Sequence, residues 1–191
     1  MKKILLFALV LISGSMFAND NDPKTKSLNI TESVITWKGQ KVLGSHEGTI
    51  KISEGGLEFD EAGMLAGGSF TIDMNSIECT DLSGKGAQKL VGHLKSDDFF
   101  GVATYPTAKF DITKVSSRGT SGSYKVVGNL TIKNTTKEIK FNADLTDNSG
   151  SAEITIDRTD YDVRYGSGSF FDNLGDKTIY DEFELVINLV Y

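Results

Sequence analysis

The chain has 191 residues, with Lys+Arg 20 against Asp+Glu 26 and a net charge of −6 at pH 7. An acidic chain repels phosphate backbones and anionic membranes, so its charge argues against a partner that is nucleic acid. The length suits one domain with a substantial core, and the single cysteine, Cys79, excludes an intramolecular disulfide.

The N-terminal segment has the layout of a secretory signal peptide. Lys2 and Lys3 precede the apolar run 4–12, and mostly small residues follow up to Ala18. The run is shorter than the about 20 residues that span a bilayer. We therefore expect 1–18 to be a signal peptide cleaved after Ala18, a mature chain without a membrane span, and a periplasmic or secreted location. An uncleaved anchor is the alternative.

A polar leader precedes the first strand. Residues 19–32 lack hydrophobic periodicity, which predicts a flexible segment and a folded domain at 33–191. The β-branched residues around Trp37 favour a strand, and the alternation that follows predicts another strand with His46 on its inward face. A core or rim histidine is the simpler interpretation of His46, and a ligand contact is the alternative.

Glycines and alternating residues then predict an antiparallel meander. Gly55-Gly56 is interpreted as a turn, and the inward set of the following strand is Phe70, Ile72 and Met74.

One helix interrupts the strands. Apolar residues fall at i, i+3, i+4 and i+7 in Ala87, Leu90, Val91 and Leu94, which predicts a single apolar helical face. Ser96, before two aspartates, predicts the N-cap of a second, short helical turn. Phe99 and Phe100 point to different sides of any regular element, so at least one of them meets something other than the helix. We interpret them as a lid or plug.

Strands resume after the helix. Gly128 predicts a bulge because the apolar phase changes near it. Arg158 follows a strand and can pair with Asp157 or Asp160; a structural ion pair is favoured over contact with an anionic head group. The inward residues of these strands are Phe110, Leu130, Ile132, Phe141, Ile154 and Ile156.

The whole pattern predicts an all-β fold of about eight strands with one main helix. A long meander with one apolar face can close on itself, and closure removes the exposed strand edges that would aggregate. We therefore predict an antiparallel β-barrel.

Several motifs together resemble the YceI family. They include His93-Leu94-x-Ser96-x-Asp98-Phe99-Phe100 followed by Tyr105-Pro106-x-Ala108-x-Phe110. The others, in the same order as in the family, are Trp37-x-Gly39, Gly44-x-His46-x-Gly48, Phe70-x-Ile72-Asp73-Met74-x-Ser76-Ile77, Gly128-x-Leu130-Thr131-Ile132 and Asp157-Arg158-Thr159.

The resemblance implies an exported, lipocalin-like barrel whose interior takes up a long-chain amphiphile, above all a polyisoprenoid such as a quinone or polyprenyl lipid. The sequence itself has no nucleophile elbow, P-loop or HExxH motif, and His46 and His93 form no cluster with other metal-ligating residues, so we expect no enzyme, cofactor or dedicated metal site. The residues expected at the apolar cavity and its mouth are Trp37, His46, Phe70, Ile72, Met74, Leu90, His93, Leu94, Phe99, Phe100, Phe110, Leu130, Ile132, Phe141, Ile154, Ile156, Phe170 and Phe171, with Arg158 as the candidate for a head-group contact.

Two other functions stay open on the sequence. A barrel of eight strands can be filled by its own side chains, and a filled barrel would serve as a stress-related interaction module. An enzyme acting on an isoprenoid lipid would need a polar pair in the barrel, for which His93 with Asp97 or Asp98 is the only candidate. Cys79 is interpreted as a structural or incidental thiol because neither histidine is near it in sequence.

Overall fold

The computed structural model describes residues 23–191, so the predicted signal peptide 1–18 lies outside the described residues. The described part of the chain forms a sheet of nine antiparallel strands and one α-helix. The strands are β1 Lys24–Ser27, β2 Val34–Lys41, β3 Gly44–Phe59, β4 Leu65–Cys79, β5 Thr107–Ser117, β6 Ser123–Ile132, β7 Thr135–Leu145, β8 Ser149–Asp157 and β9 Ile179–Val190, and α1 is Gly84–Lys95.

Eight of the strands close a barrel, as predicted. The order is β3-β2-β9-β8-β7-β6-β5-β4, and pairing between β3 and β4 closes the circle. The short strand β1 pairs with the end of β3, from Gly56 to Phe59, beyond the part of β3 that pairs with β2. The predicted flexible leader 19–32 is therefore wrong at Lys24–Ser27, because the backbone of this polar segment pairs with an edge of the sheet that no periodicity in its own side chains reveals.

The predicted turn at Gly55-Gly56 is also wrong. Both glycines lie inside β3, which runs unbroken from Gly44 to Phe59. A Cβ on Gly55 would lie 2.8 Å from the carbonyl oxygen of Ser69, and one on Gly56 would lie 2.9 Å from that of Lys26. The glycines therefore allow close approach of the neighbouring strands.

Gly128 likewise makes room for a neighbour. The register shift lies in the partner strand β5, between Ile112 and Lys114, and not in β6 at Gly128 as predicted. A Cβ on Gly128 would clash with the ring of Phe110, which occupies that space. Burial alternates without interruption along β6, through Tyr124, Val126, Gly128, Leu130 and Ile132, so β6 has no change of phase.

The barrel has two different ends. The connections after β2, β4, β6 and β8 all lie at one end, which we call the helix end because the β4–β5 connection contains α1. Ser96 ends α1, and its hydroxyl donates to the carbonyl oxygen of His93 at 2.7 Å instead of capping the turn that follows. A short turn does begin there, with the N–H of Phe99 donating to the carbonyl oxygen of Ser96 at 3.0 Å. The chain then makes a series of hydrogen-bonded turns as far as Tyr105. None of the helices within residues 23–191 combines the length and the apolar character that a membrane crossing needs.

Candidate functional site

The barrel encloses a cavity of about 220 Å³. One water molecule needs only about 10–15 Å³, so the interior is hollow. The wall is apolar because the inward residues of successive strands alternate with polar residues outside.

Most of the predicted residues line this cavity. They are Trp37, Phe70, Ile72, Met74, Leu94, Phe99, Phe100, Phe110, Leu130, Ile132, Phe141, Ile154, Ile156 and Arg158. The prediction of the site left out other members of the same inward sets, including Ile35, Val126, Phe183 and Leu185, which also line it. The period-two pattern that identified their neighbours could have found them.

Five predicted residues do not line the cavity: His46, Leu90, His93, Phe170 and Phe171. The side chain of His46 points to Asp81, with 2.9 Å between Nδ1 and Oδ2. Leu90 lies on α1, of which only Leu94 reaches the cavity. Phe170 and Phe171 are 47% and 50% exposed, because the loop between β8 and β9 turns their rings outward. The ring of Phe170 lies 4.6 Å from the guanidinium of Arg164.

Phe99 and Phe100 close the helix end. Phe99 is 6% exposed, and its ring centroid lies 5.0 Å from that of Phe100 and 5.5 Å from that of His93. Backbone bonds hold the segment that carries them: Phe100 donates to the carbonyl oxygen of Leu94 and Val102 to that of Lys95. Phe99 and Phe100 thus form part of the cavity wall at the helix end, and we call the segment 96–105 that carries them the plug segment.

Arg158 lies next to Phe99 at the helix end and is 2% exposed. Its guanidinium is 5.5 Å from the ring of Phe99. It donates to the carbonyl oxygens of Tyr180 at 3.0 Å, Val163 at 2.7 Å and Ile179 at 3.0 Å, and to Asp181 at 3.3 Å. These bonds tie the turn after β8 to the start of β9.

The ion-pair partner of Arg158 is therefore Asp181, and not Asp157 or Asp160 as predicted. Asp157 instead accepts from the backbone and hydroxyl of Thr159, and Asp160 pairs with Lys137. Burial alone would raise the pKa of Asp181, but the hydroxyls of Ser167 and Ser169 and the charge of Arg158 outweigh burial and lower it. Burial lowers the pKa of Arg158, and the charges of Asp181 and Asp157 oppose that effect.

The opposite end of the barrel is also closed. Phe59, Leu65 and Tyr124 are buried there, and the hydroxyl of Tyr124 accepts from the backbone N–H of Leu65 at 3.3 Å. The rings of Phe59 and Tyr191 are 5.8 Å apart, with the Lys26 ammonium 5.0 Å from each.

Two buried polar atoms near the helix end, Nε2 of His93 and the hydroxyl of Tyr161, have no hydrogen-bond partner among residues 23–191. The ring of His93 packs on Tyr165, with 4.5 Å between centroids. Within residues 23–191, no hydrogen bond or ion pair joins His93 to Asp97 or Asp98.

Cys79, Asp81 and His46 meet outside the barrel, a contact that their sequence positions did not indicate. The thiol of Cys79 lies 3.1 Å from Oδ1 of Asp81. Burial, together with the hydrogen bond to Asp81, raises the pKa of the thiol, which disfavours the nucleophilic thiolate. In the described part of the chain no group of three or more His, Cys, Asp or Glu residues is arranged to hold a metal ion.

Comparisons with known proteins agree with this architecture. The family model of the YceI-like domain matches residues 22–191. A UPF0312 protein of Photorhabdus laumondii is 35% identical over 99 residues, which are 51% of this chain and 47% of that protein. The matched region thus spans about half the length of that curated relative.

Two solved structures share the fold. BcnA of Burkholderia cenocepacia is similar with a TM-score of 0.70 and 23% identity, covering 86% of this chain and 99% of that one. A polyisoprenoid-binding domain from Saccharophagus degradans, implicated in plant cell wall breakdown, is similar with a TM-score of 0.58 and 18% identity, covering 86% of this chain and 96% of that one.

Proposed function

Because the chain belongs to the family of YceI-like domains, we propose that it is an exported binding protein that holds the apolar chain of a polyisoprenoid or another long-chain amphiphile inside the barrel. The observation that carries this proposal is the hollow, apolar cavity of about 220 Å³. An empty apolar cavity stays dry and takes up apolar ligands. The similarity to a polyisoprenoid-binding domain supports the choice of ligand class.

The energetics allow useful affinity. A prenyl or acyl chain that hides on the order of 400 Å² of apolar surface gains roughly 10 kcal/mol at about 25 cal/mol per Å². Association costs about 4–15 kcal/mol, so binding needs a slot that exists before the ligand arrives. The barrel supplies such a slot because strand pairing holds most of its wall in place.

The ligand head group has few partners inside. Arg158 is the cationic residue of the cavity wall, and its donors already bond to three carbonyl oxygens and Asp181. We therefore assign Arg158 to the support of the wall and expect the head group to remain near the surface.

Native mass spectrometry of protein purified from its own host tests the proposal. We expect a co-purifying lipid whose mass matches a prenyl or acyl compound. Ligand-free protein that also fails to bind geranylgeraniol in vitro would favour the interaction module over the carrier.

Export is tested by the intact mass of the protein recovered from the cell envelope. We expect a mass that corresponds to a chain beginning after Ala18, because Lys2, Lys3 and the apolar run are typical of a cleaved signal. An envelope protein that still begins at Met1 would contradict the proposed cleavage.

A further inference from the structure

One seam of the barrel is incompletely paired. Between β7 and β8, among the described residues, backbone pairing is confined to Ala143, Asp144 and Leu145 with Ala152, Ser151 and Gly150. Yet β7 pairs with β6 from Ser123–Asp144 to Ile132–Thr135, and β8 pairs with β9 along its whole length. We call the unpaired remainder, 135–142 of β7 and 153–157 of β8, the β7–β8 gap.

Along the gap no backbone ladder between 135–142 and 153–157 separates the cavity from the outside, and only side chains lie between them. Five residues line both the cavity and a groove on the outer surface: Ile139, Phe141, Ser151, Ala152 and Ile154. At the helix end of the gap, an ion pair between Lys137 and Asp160 at 3.5 Å joins the two sides. Both side chains of this pair are exposed, so it closes the gap only weakly.

Other routes into the cavity are more firmly closed. Opening the helix end would break the backbone hydrogen bonds that hold the segment with Phe99 and Phe100. One of them runs from the N–H of Val102 to the carbonyl oxygen of Lys95. A second outer groove meets the cavity near the bulge between β2 and β9. The residues that line both there are Gln40, Ile179, Tyr180, Glu182 and Phe183, but Arg158 ties the backbone of Ile179 and Tyr180 on that side. In the gap, movement of side chains can open a passage without breaking a strand ladder.

We propose that the β7–β8 gap is the lateral entrance through which the apolar chain of the ligand enters and leaves the barrel; this inference rests on the proposed function. The chain would pass between Phe141 and Ile154, which are apolar. The outer groove offers the side chains of Asn142 and Thr155 to a polar head group that follows. An unpaired strand edge is normally a liability, so its retention in an otherwise closed barrel fits a functional use.

A reducible cross-link across the gap tests the proposal. Ala143 pairs with Ala152, and counting three residues further along both strands places Lys140 opposite Thr155. The side chains of Lys140 and Thr155 are exposed. The variant carries Lys140→Cys and Thr155→Cys in a Cys79→Ser background and is joined by a bis-maleimide with a disulfide in its linker. A matched control carries Asn129→Cys and Glu138→Cys, which face each other across the complete β6–β7 ladder.

The measured quantities are the rates of uptake and release of fluorescently labelled geranylgeraniol. With the gap cross-linked we expect both rates to fall at least about tenfold. Protein that is loaded before cross-linking should retain the probe. Reduction of the linker should restore both rates, while the β6–β7 control exchanges at the parent rate throughout.

The two proposals fail differently. If the parent protein binds the probe and the cross-linked gap exchanges it at the parent rate, the entrance lies elsewhere and the gap proposal is overturned. If the parent does not bind the probe at all, the binding function itself is overturned and the entrance with it. Circular dichroism before and after reduction checks that the cross-linked barrel is folded.

Discussion

Arg158 is a single side chain on which several backbone segments depend. It satisfies the carbonyl oxygens of Val163, Ile179 and Tyr180 while it remains 2% exposed. A planar guanidinium can serve several acceptors at once, which an ammonium cannot match. Arg158, for which the sequence favoured a structural role over a head-group contact, thus joins the turn after β8 to the first residues of β9.

We expect Arg158→Ala to lower the free energy of unfolding by about 2–4 kcal/mol, because it leaves buried carbonyl oxygens without a donor and removes the cation that pairs with Asp181. Chemical denaturation measures the loss. The control is Arg118→Ala, since Arg118 is exposed and its contact with Asp144 is 3.9 Å long. Unchanged stability combined with lost lipid binding would reverse the assignment in favour of a head-group contact.

Asp81 predicts a response to acid. Burial alone would raise its pKa, but hydrogen bonds from Cys79, His46 and the backbone of Glu47 outweigh burial and lower the pKa from 3.8 to about 2. A carboxyl with a depressed folded-state pKa stabilises the fold above its unfolded pKa and loses that effect as the pH falls. The stabilisation from Asp81 should therefore be complete above about pH 4 and disappear between about pH 4 and pH 2.

Urea denaturation of the parent and of Asp81→Asn at several pH values measures this contribution. The variant should be less stable than the parent at pH 7, and the difference should shrink as the pH approaches 2. Asp172→Asn, on an exposed loop residue, serves as the control. A stability difference between parent and Asp81→Asn that does not change with pH would contradict the account.

At the scale of elements, the plug between α1 and β5 is the part most directly tied to binding. Phe100 lines the cavity, and its ring packs against that of Phe99. The structure gives a matched aromatic pair elsewhere, since Phe170 and Phe171 are exposed at the same end of the barrel and do not line the cavity.

We expect Phe100→Ala to weaken the binding of geranylgeraniol about tenfold or more, since the ligand loses the contact of one aromatic ring, worth roughly 1.5–3 kcal/mol. Fluorescence competition measures the change, and circular dichroism should show unchanged strand content. Phe171→Ala should bind like the parent. Equal loss in both variants would mean that the effect does not come from the cavity wall.

Strand alternation predicted the barrel and much of its lining because every second residue of a strand faces the interior and is therefore apolar. Residues such as Phe70, Ile72 and Leu130 follow this period and line the cavity. The errors have a common physical origin in contacts that are distant in sequence. The glycines of β3 accommodate β1 and β4, and Arg158 finds Asp181 at a separation of 23 residues. No local pattern contains such partners.

The β7–β8 gap and the exposure of Phe170-Phe171 were likewise invisible to the sequence. The residues of β7 alternate in the same way whether or not a neighbour pairs with them, so periodicity reports the inward face and not the ladder. The two Phe-Phe pairs look alike in sequence, and tertiary contacts of the surrounding segments decide that Phe99 is buried while Phe171 is exposed.

At the scale of the whole molecule, the sequence left open whether the barrel is filled or hollow. Eight-stranded barrels of both kinds exist, and both have apolar inward residues. The difference depends on whether the inward side chains fill the volume that the barrel radius encloses. A strand pattern does not give the barrel radius. The cavity of about 220 Å³ gives a hollow interior.

A hollow barrel and a filled one respond oppositely to a larger side chain. Ile72 lies in the middle of β4, paired with Ile52 and Ala108, and lines the cavity. In a filled core, the extra volume of Ile72→Trp would force strain that typically costs about 1–3 kcal/mol. In this barrel the indole can extend into empty space, so we expect near-parent stability together with loss of geranylgeraniol binding.

Thermal denaturation and fluorescence competition measure the two quantities. Lys109→Trp, on the exposed face of β5, is the control and should leave both unchanged. Parent-like binding by Ile72→Trp would mean that the ligand does not occupy the barrel interior, because a side chain that fills the bore and a long apolar chain cannot share the same space.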